Sequence, residues 1–332
     1  MNDRREASAP LRIAVVGAGF MGANHARVVA SHPATRLVRV VDVSLEAAQR
    51  LADQFGVDAG IEIERGQVDA AVVATSTAAH VGVALQLLEL GIPVLLEKPM
   101  ATDLAGVYEL VEAAQRTGTP LVCGFVERFN AAVRTTQLLL EEAPTTITFV
   151  RHSPFNDRAT ASVVQDLLIH DLDLLCRLSP AFALHPESLS VAAFGRTIPE
   201  SSQVEAVDAI LSNGACVANC SASRLGQRKV RTLVVGNSSQ LVETDLFRQT
   251  VTMYRHVSHA LLSSGAGGYR AETVIDTPYV RHGGEPLFEQ LSNFCEVVSG
   301  VSTEDTVATV AAHVLADSVE KQLLGPTDPI PV

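Results

Sequence analysis

The hexapeptide Gly17-Ala18-Gly19-Phe20-Met21-Gly22 follows a short apolar run and opens a helical stretch. In that setting the first glycine permits a tight turn, the second lets a pyrophosphate approach the backbone, and the third lets helix and strand pack closely. Phe20 and Met21 lie within the same loop. Asp42 stands twenty residues beyond Gly22, at the end of the second strand signal. An acid there accepts hydrogen bonds from ribose hydroxyls and repels a 2′-phosphate, which favours NAD over NADP. The alternative is a glycine-rich turn with no ligand.

Glu97-Lys98-Pro99 ends a later strand signal, at the edge where ligands bind such sheets. Lys98 could hydrogen-bond a substrate oxygen or assist proton movement; otherwise it is a surface lysine. Thr75, Ser76 and His80 follow the preceding strand and could line a cofactor together with Glu97, or simply cap a helix. Asp166 and His170 are four apart in a helical segment and so share a face, with Asp173 one step further. A carboxylate beside an imidazole is a usable acid–base pair near neutral pH. The flanking Leu167, Leu168, Ile169, Leu172, Leu174 and Leu175 imply a buried helix, where ionisable groups need partners or a function. Arg128 and Asn130, just after the last strand of the first half, are candidates for substrate contact; alternatively Arg128 pairs with a neighbour such as Glu127. Arg158 is a further candidate for an anionic group. No set of three metal ligands stands out.

The elements that must position these residues alternate over residues 1–125. Strand signals at 11–17, 36–43, 69–75, 93–97 and 120–125 are separated by helical stretches at 21–31, 44–55, 78–90 and 103–117. Ser44 and Thr102 are the expected N-caps, and Gly56, Gly91 and Gly118 stop helices. Repeated β-α units of this length imply a doubly wound parallel sheet. Beyond residue 125 the pattern changes. Helices are expected at 130–142 and 163–178, strands at 145–152, 188–194, 204–211, 215–222, 230–235 and 250–256, and closing helices at about 286–298 and 303–323. Strands joined by turns without helices make a largely antiparallel sheet. The expected fold is thus α/β: a dinucleotide-binding domain over 1–125 and an α+β domain with an open sheet over 126–332, whose last helix could pack back on the first.

A chain of 332 residues with 47% apolar content supports two cores. The net charge of −12, without a basic run, disfavours nucleic acid or an anionic membrane as partner. None of Cys123, Cys176, Cys216, Cys220 and Cys295 forms a CxxC pair, so buried free thiols are expected. The first ten residues lack an apolar signal core and no stretch suits a membrane span, which points to the cytoplasm.

Taken together, GAGFMG, Asp42, Glu97-Lys98-Pro99, Asp166-x-x-x-His170-Asp171 and Glu285-Pro286-Leu287 resemble the glucose-fructose oxidoreductase / inositol dehydrogenase / rhizopine-catabolism (Gfo/Idh/MocA) family over nearly the whole chain. Residues 22–28, 126–130 and 163–171 look most like its UDP-N-acetylglucosamine 3-dehydrogenases and related nucleotide-sugar enzymes. Ala131 stands where a proline is expected after Arg-Phe-Asn, and Ser76 where one often follows Thr75. The resemblance implies a homodimer or homotetramer, a catalytic Lys98 with a cis Pro99, and Asp166 and His170 as the acid–base pair. His170 would then take the proton of a sugar hydroxyl, Asp166 would orient the imidazole, Lys98 would steady the oxygen, and NAD would accept the hydride. Free-sugar and cyclitol dehydrogenases, keto-sugar reductases and non-catalytic nucleotide-sensing regulators of the same family remain alternatives.

Overall fold

The computed structural model describes residues 9–156, 161–261, 268–281 and 284–323. The chain forms two compact units, Met1–Val126 with Gly284–Thr306, and Glu127–Gly283 with Val307–Val332.

The first unit runs β1 (Leu11–Val16), α1 (Phe20–Ser31), β2 (Thr35–Val41), α2 (Leu45–Asp53), β3 (Asp58–Gly60), β4 (Ala70–Val73), α3 (Thr77–Glu89), β5 (Val94–Leu96), α4 (Leu104–Thr117) and β6 (Leu121–Cys123). All six strands are parallel, in the order β3-β2-β1-β4-β5-β6. Ile13, Ala14, Val15 and all of β4 are buried, because helices cover both faces and leave the strands no polar side. The strand order reverses between β1 and β4, so the carboxyl ends of those two strands open onto the crevice where such sheets bind ligands. Ser44 caps α2 by accepting from the Ala47 N–H, as the sequence suggests. The cap of α4 is Asp103, accepting from the Gly106 N–H, not Thr102. Gly118 ends α4 with φ 65°, a left-handed conformation suited to glycine.

The second unit opens with a 3₁₀ turn reaching Phe129 and continues with α5 (Ala131–Leu139) and β7 (Thr146–His152). A π turn (Val164–Leu168) then runs straight into α6 (Ile169–Leu178), followed by the short α7 (Ala181–Leu184). Seven more strands follow: β8 (Ser190–Ile198), β9 (Ser201–Ser212), β10 (Val217–Ser223), β11 (Val230–Gly236), β12 (Leu241–Asp245), β13 (Thr250–Leu261) and β14 (Gly268–Asp276). Their order with β7 is β14-β13-β12-β11-β7-β10-β9-β8, antiparallel throughout except for the parallel pair β7 and β10. Strands β12 and β14 escaped the sequence reading because Glu243, Asp245, Glu272 and Asp276 interrupt their apolar pattern.

Two helices close the chain, α8 (Pro286–Val298) and α9 (Thr306–Leu323). The expected division put all of 126–332 in one domain and let the last helix return. The structure differs: the segment that joins the first unit carries α8, whereas α9 belongs almost wholly to the second. Leu291, Phe294, Cys295 and Val297 of α8 are buried in one apolar cluster with Ala26, Val28 and Val29 of α1. An ion pair from Arg27 to the α8 N-cap Glu285, at 2.7 Å, marks the same seam. All five cysteines are buried and unbridged.

Candidate functional site

In the first unit the glycine loop is shaped by contacts that no larger residue allows. Gly17 adopts φ 104°, and a Cβ there would lie 2.4 Å from the Ala74 carbonyl oxygen. A Cβ on Gly22 would meet the Gly17 oxygen at 1.8 Å, so this glycine sets how closely α1 crosses β1. A Cβ on Gly19 would meet no heavy atom within 4 Å. Gly19 is also the N-cap of α1, gives no side-chain cap, and is followed by no acid in the first turn. An uncapped helix N-terminus beside open space suits a phosphate, so the loop fits a dinucleotide. Phe20 is exposed and Met21 partly so.

Asp42 accepts the Ala18 N–H at 2.8 Å through Oδ2 and the Ser44 N–H at 2.9 Å through Oδ1. The carboxylate thereby holds the glycine loop to the end of β2, and a carboxylate retains lone pairs for hydroxyl donors. At the carboxyl ends of β1 and β2 lies a cleft of about 560 Å³, lined by Val16, Val41, Ile61, Val83 and Gln86 among others. Its apolar walls suit a planar heterocycle.

Beyond β5, Glu97 is buried and shares its two oxygens: Oε1 meets His25 Nε2 at 2.7 Å and Oε2 accepts the Lys98 N–H at 3.1 Å. Burial alone would raise the Glu97 carboxyl, but the His25 bond and charge, with Lys98 beyond, hold it below its ordinary value. The Lys98–Pro99 peptide is cis. His80 faces the Pro99 carbonyl through Nδ1 at 2.8 Å and the Thr75 carbonyl through Nε2 at 3.2 Å. Burial lowers its imidazole below the ordinary value despite these carbonyls. His80 therefore lies between Thr75 and the Lys98–Pro99 turn, and as a neutral ring with a single N–H it donates to one of the two carbonyls. Ser76 is the N-cap residue of α3 and gives no side-chain cap. His25, the partner of Glu97, falls within residues 22–28, and no residue pattern there singles it out beyond its being a histidine among the apolar residues of α1.

In the second unit the two expected substrate contacts, Arg128 and Asn130, have internal partners. Arg128 does not face outward for a ligand. It is buried and grips Asp173 through Nε (2.9 and 3.1 Å) and Nη2 (2.6 Å), with Nη2 also reaching the Thr309 hydroxyl at 2.6 Å. Asn130 is the buried N-cap of α5, accepting the Ala132 N–H at 3.0 Å and donating to the Leu246 carbonyl at 2.9 Å. Both are spent on joining elements, because polar groups at these depths must be satisfied internally. Arg158 lies outside the described residues.

Asp166 sits within the π turn and His170 in the first turn of α6. The α-helical spacing argument for the pair thus gives way to a wider turn, a form frequent at functional sites. His170 is buried, whereas the Asp166 side chain is 37% exposed. Beneath them lies an ionic floor. Arg151 donates to Asp171 (2.7 and 2.9 Å) and to Glu127 (2.8 Å), and Arg231 donates to Glu127 at 3.1 Å. Arg224 reaches Glu205 at 2.7 Å and Asp166 at 3.4 Å. Burial opposes the charge on Arg151, but Asp171 and Glu127 together raise its guanidinium above the ordinary value. Burial and the like charge of Arg151 lower Arg231, against the pull of Glu127, Asp171 and Asp166. Among the described residues, the guanidiniums of Arg151, Arg231 and Arg224 thus pair with the carboxylates of Asp171, Glu127, Glu205 and Asp166. The sequence reading missed Arg151, Arg224, Arg231 and Glu205. Alternation was the signal for two of them: Arg151 follows Ile147 and Phe149, and Glu205 precedes Val207 and Ala209, all at inward positions.

Residues 11–125 match the GFO_IDH_MocA model, described as an oxidoreductase family with an NAD-binding Rossmann fold. UDP-N-acetylglucosamine 3-dehydrogenase of Acidithiobacillus ferrooxidans is 28% identical over 91% of this chain and 90% of its own. Inositol 2-dehydrogenase 4 of Saccharopolyspora erythraea is 30% identical over 63% of this chain and 68% of its own. A solved structure of the Acidithiobacillus ferrooxidans UDP-N-acetylglucosamine 3-dehydrogenase superposes with a TM-score of 0.81 at 26% identity, covering 94% of this chain and 97% of that one.

Proposed function

The chain belongs to the Gfo/Idh/MocA oxidoreductase family, and from that premise we propose that it is an NAD-dependent dehydrogenase or reductase acting on a secondary alcohol of a sugar, with a nucleotide-sugar and its C3 hydroxyl as the favoured substrate. The observation that carries the substrate reading is the likeness to a UDP-N-acetylglucosamine 3-dehydrogenase along nine-tenths of both chains. The match to an inositol 2-dehydrogenase favours a cyclitol as the second reading.

Gly17, Gly19, Phe20, Met21 and Gly22 would hold the pyrophosphate, Asp42 the adenosine ribose, and Thr75, Ser76, His80 and Glu97 the inner wall of the cofactor site. The preference for NAD over NADP rests on Asp42, whose charge opposes a 2′-phosphate. When bound, NAD supplies the hydride acceptor. His170 removes the hydroxyl proton, and the nearby carboxylate of Asp166 stabilises the imidazolium so formed. Asp166 orients that imidazole. Lys98, its backbone fixed by Glu97, donates a hydrogen bond to the reacting oxygen. Arg158 remains a proposed contact for an anionic substrate group. A cytoplasmic homodimer or homotetramer completes the reading.

The test is NADH formation, with NADP in parallel, from UDP-N-acetylglucosamine, UDP-glucose and myo-inositol. Turnover with a UDP-sugar and NAD supports the reading. His170→Ala and Lys98→Ala should each lower kcat by about 10²- to 10⁴-fold while NAD affinity stays within a factor of two. Near-normal turnover in either variant would remove that residue from the mechanism.

A further inference from the structure

Arg224 is among the largest fully buried side chains of the protein, and a cation at that depth must be matched by partners. It follows directly on β10, and its backbone N–H donates to the Glu205 carbonyl at 2.8 Å. Its Nε donates to Glu205 Oε2 at 2.7 Å, and Glu205 accepts the Ser201 hydroxyl through its other oxygen. An ion pair serving only to join β9 to the residue after β10 would be complete at that point. The two remaining nitrogens instead both address the segment that carries Asp166. Nη2 donates to the Ala161 carbonyl at 2.9 Å, and Nη1 to Asp166 Oδ2 at 3.4 Å.

These two contacts bracket the entry to the π turn, where the Asp166 N–H donates to the Ser162 carbonyl at 3.0 Å. A half-exposed carboxylate on a wide turn has several rotamers open to it. A guanidinium locked by a buried glutamate has almost none, so it can fix both the backbone at 161 and the carboxylate at 166 from one rigid point. Glu205 also neutralises Arg224, which lets the cation stand at that depth without drawing the Asp166 charge away from the imidazole.

We propose that Arg224, held by Glu205, is a positioning residue that sets the orientation of the Asp166 carboxylate toward His170. The proposal rests on reading Asp166 and His170 as the acid–base pair, and the experiment separates the two. Wild type, Arg224→Lys, Arg224→Met, Asp166→Asn and Arg224→Met/Asp166→Asn are compared in NADH formation from UDP-N-acetylglucosamine. Arg224→Met/Glu205→Gln, which leaves no buried charge unpaired, serves as the folding control. A misplaced Asp166 should lower kcat by about 10- to 100-fold in Arg224→Met. The KM for NAD should stay within a factor of two, and Arg224→Lys should recover part of the loss. In the Asp166→Asn background, Arg224→Met should cost nothing further, because the residue it acts through is already gone. Independent losses that multiply in the double variant, or an unchanged kcat in Arg224→Met beside a crippled Asp166→Asn, overturn the positioning role and leave the acid–base reading intact. Crystals of Arg224→Met need no substrate. A displaced Asp166 carboxylate there sustains the inference even if Asp166→Asn turns over normally and the acid–base reading falls. A carboxylate in its wild-type place overturns it.

Discussion

Arg128→Met distinguishes a guanidinium that holds the fold from one that reads a substrate. The Arg128 and Asp173 side chains are 5% and 1% exposed, so water screens neither charge. Removing the arginine leaves the Asp173 carboxylate, among the described residues, with Arg177 as its ion-pairing cation, whose Nε lies 3.8 Å away. Breaking a buried pair by deleting one partner typically costs about 3–5 kcal/mol, and the Arg177 charge should keep the loss near the lower end. For a unit of this size that is a fall in Tm on the order of 10 °C. Calorimetric melts should show that fall, and initial rates at low temperature should show KM values within a factor of two of wild type. Arg128→Met/Asp173→Asn, which removes both charges, should regain at least half of the lost stability. A variant that melts with the wild type while its sugar KM rises tenfold would refute the reasoning and return Arg128 to the substrate site.

His313 lies buried on α9, and burial, reinforced by the Arg128 charge, pushes its imidazole from an ordinary 6.5 down to about 4 against the Thr309 carbonyl and Asp173. The unfolded chain takes up that proton first, so the contribution is complete above about pH 6.5 and is lost as pH falls toward 4, about 3 kcal/mol in all. Denaturant unfolding should therefore lose about 2 kcal/mol between pH 7 and 5 at this residue, and His313→Gln should flatten that slope; an identical slope in the variant would contradict the burial argument. Gly19→Ala meets open space, so its Tm should match the wild type while NAD affinity, read by fluorescence titration, falls at least tenfold; unchanged affinity would remove the loop from the pyrophosphate site. Asp42→Ala deprives the Ala18 and Ser44 N–H groups of their acceptor and removes the charge that opposes a 2′-phosphate. Its ratio of NAD to NADP turnover should drop by at least tenfold, and a preserved ratio would assign cofactor choice elsewhere.

The sequence alone determined the parts of this protein whose causes are local. The β-α alternation up to β6, the three loop glycines, the Ser44 cap and the acid after β2 follow from the periodicity and stereochemistry of adjacent residues. They placed the dinucleotide fold and its loop before any contact was known. The catalytic candidates Lys98, Asp166 and His170 were legible as residue types at a strand end and on a helix, although the π turn beneath Asp166 was not.

Tertiary structure decided whatever depends on partners far apart in the chain. Arg128 and Asn130 read as ligand contacts because their partners, Asp173, Thr309 and the Leu246 carbonyl, are 45 to 181 residues away. Separations of 19 to 58 residues likewise hide the Arg151 and Arg224 pairings, and 258 residues separate Arg27 from Glu285 where α8 returns to α1. A short motif shows which side chains can ionise or hydrogen-bond. Which of them stay free for chemistry is set by where the chain buries them, since a charge taken out of water must be matched by whatever partner the fold brings to it.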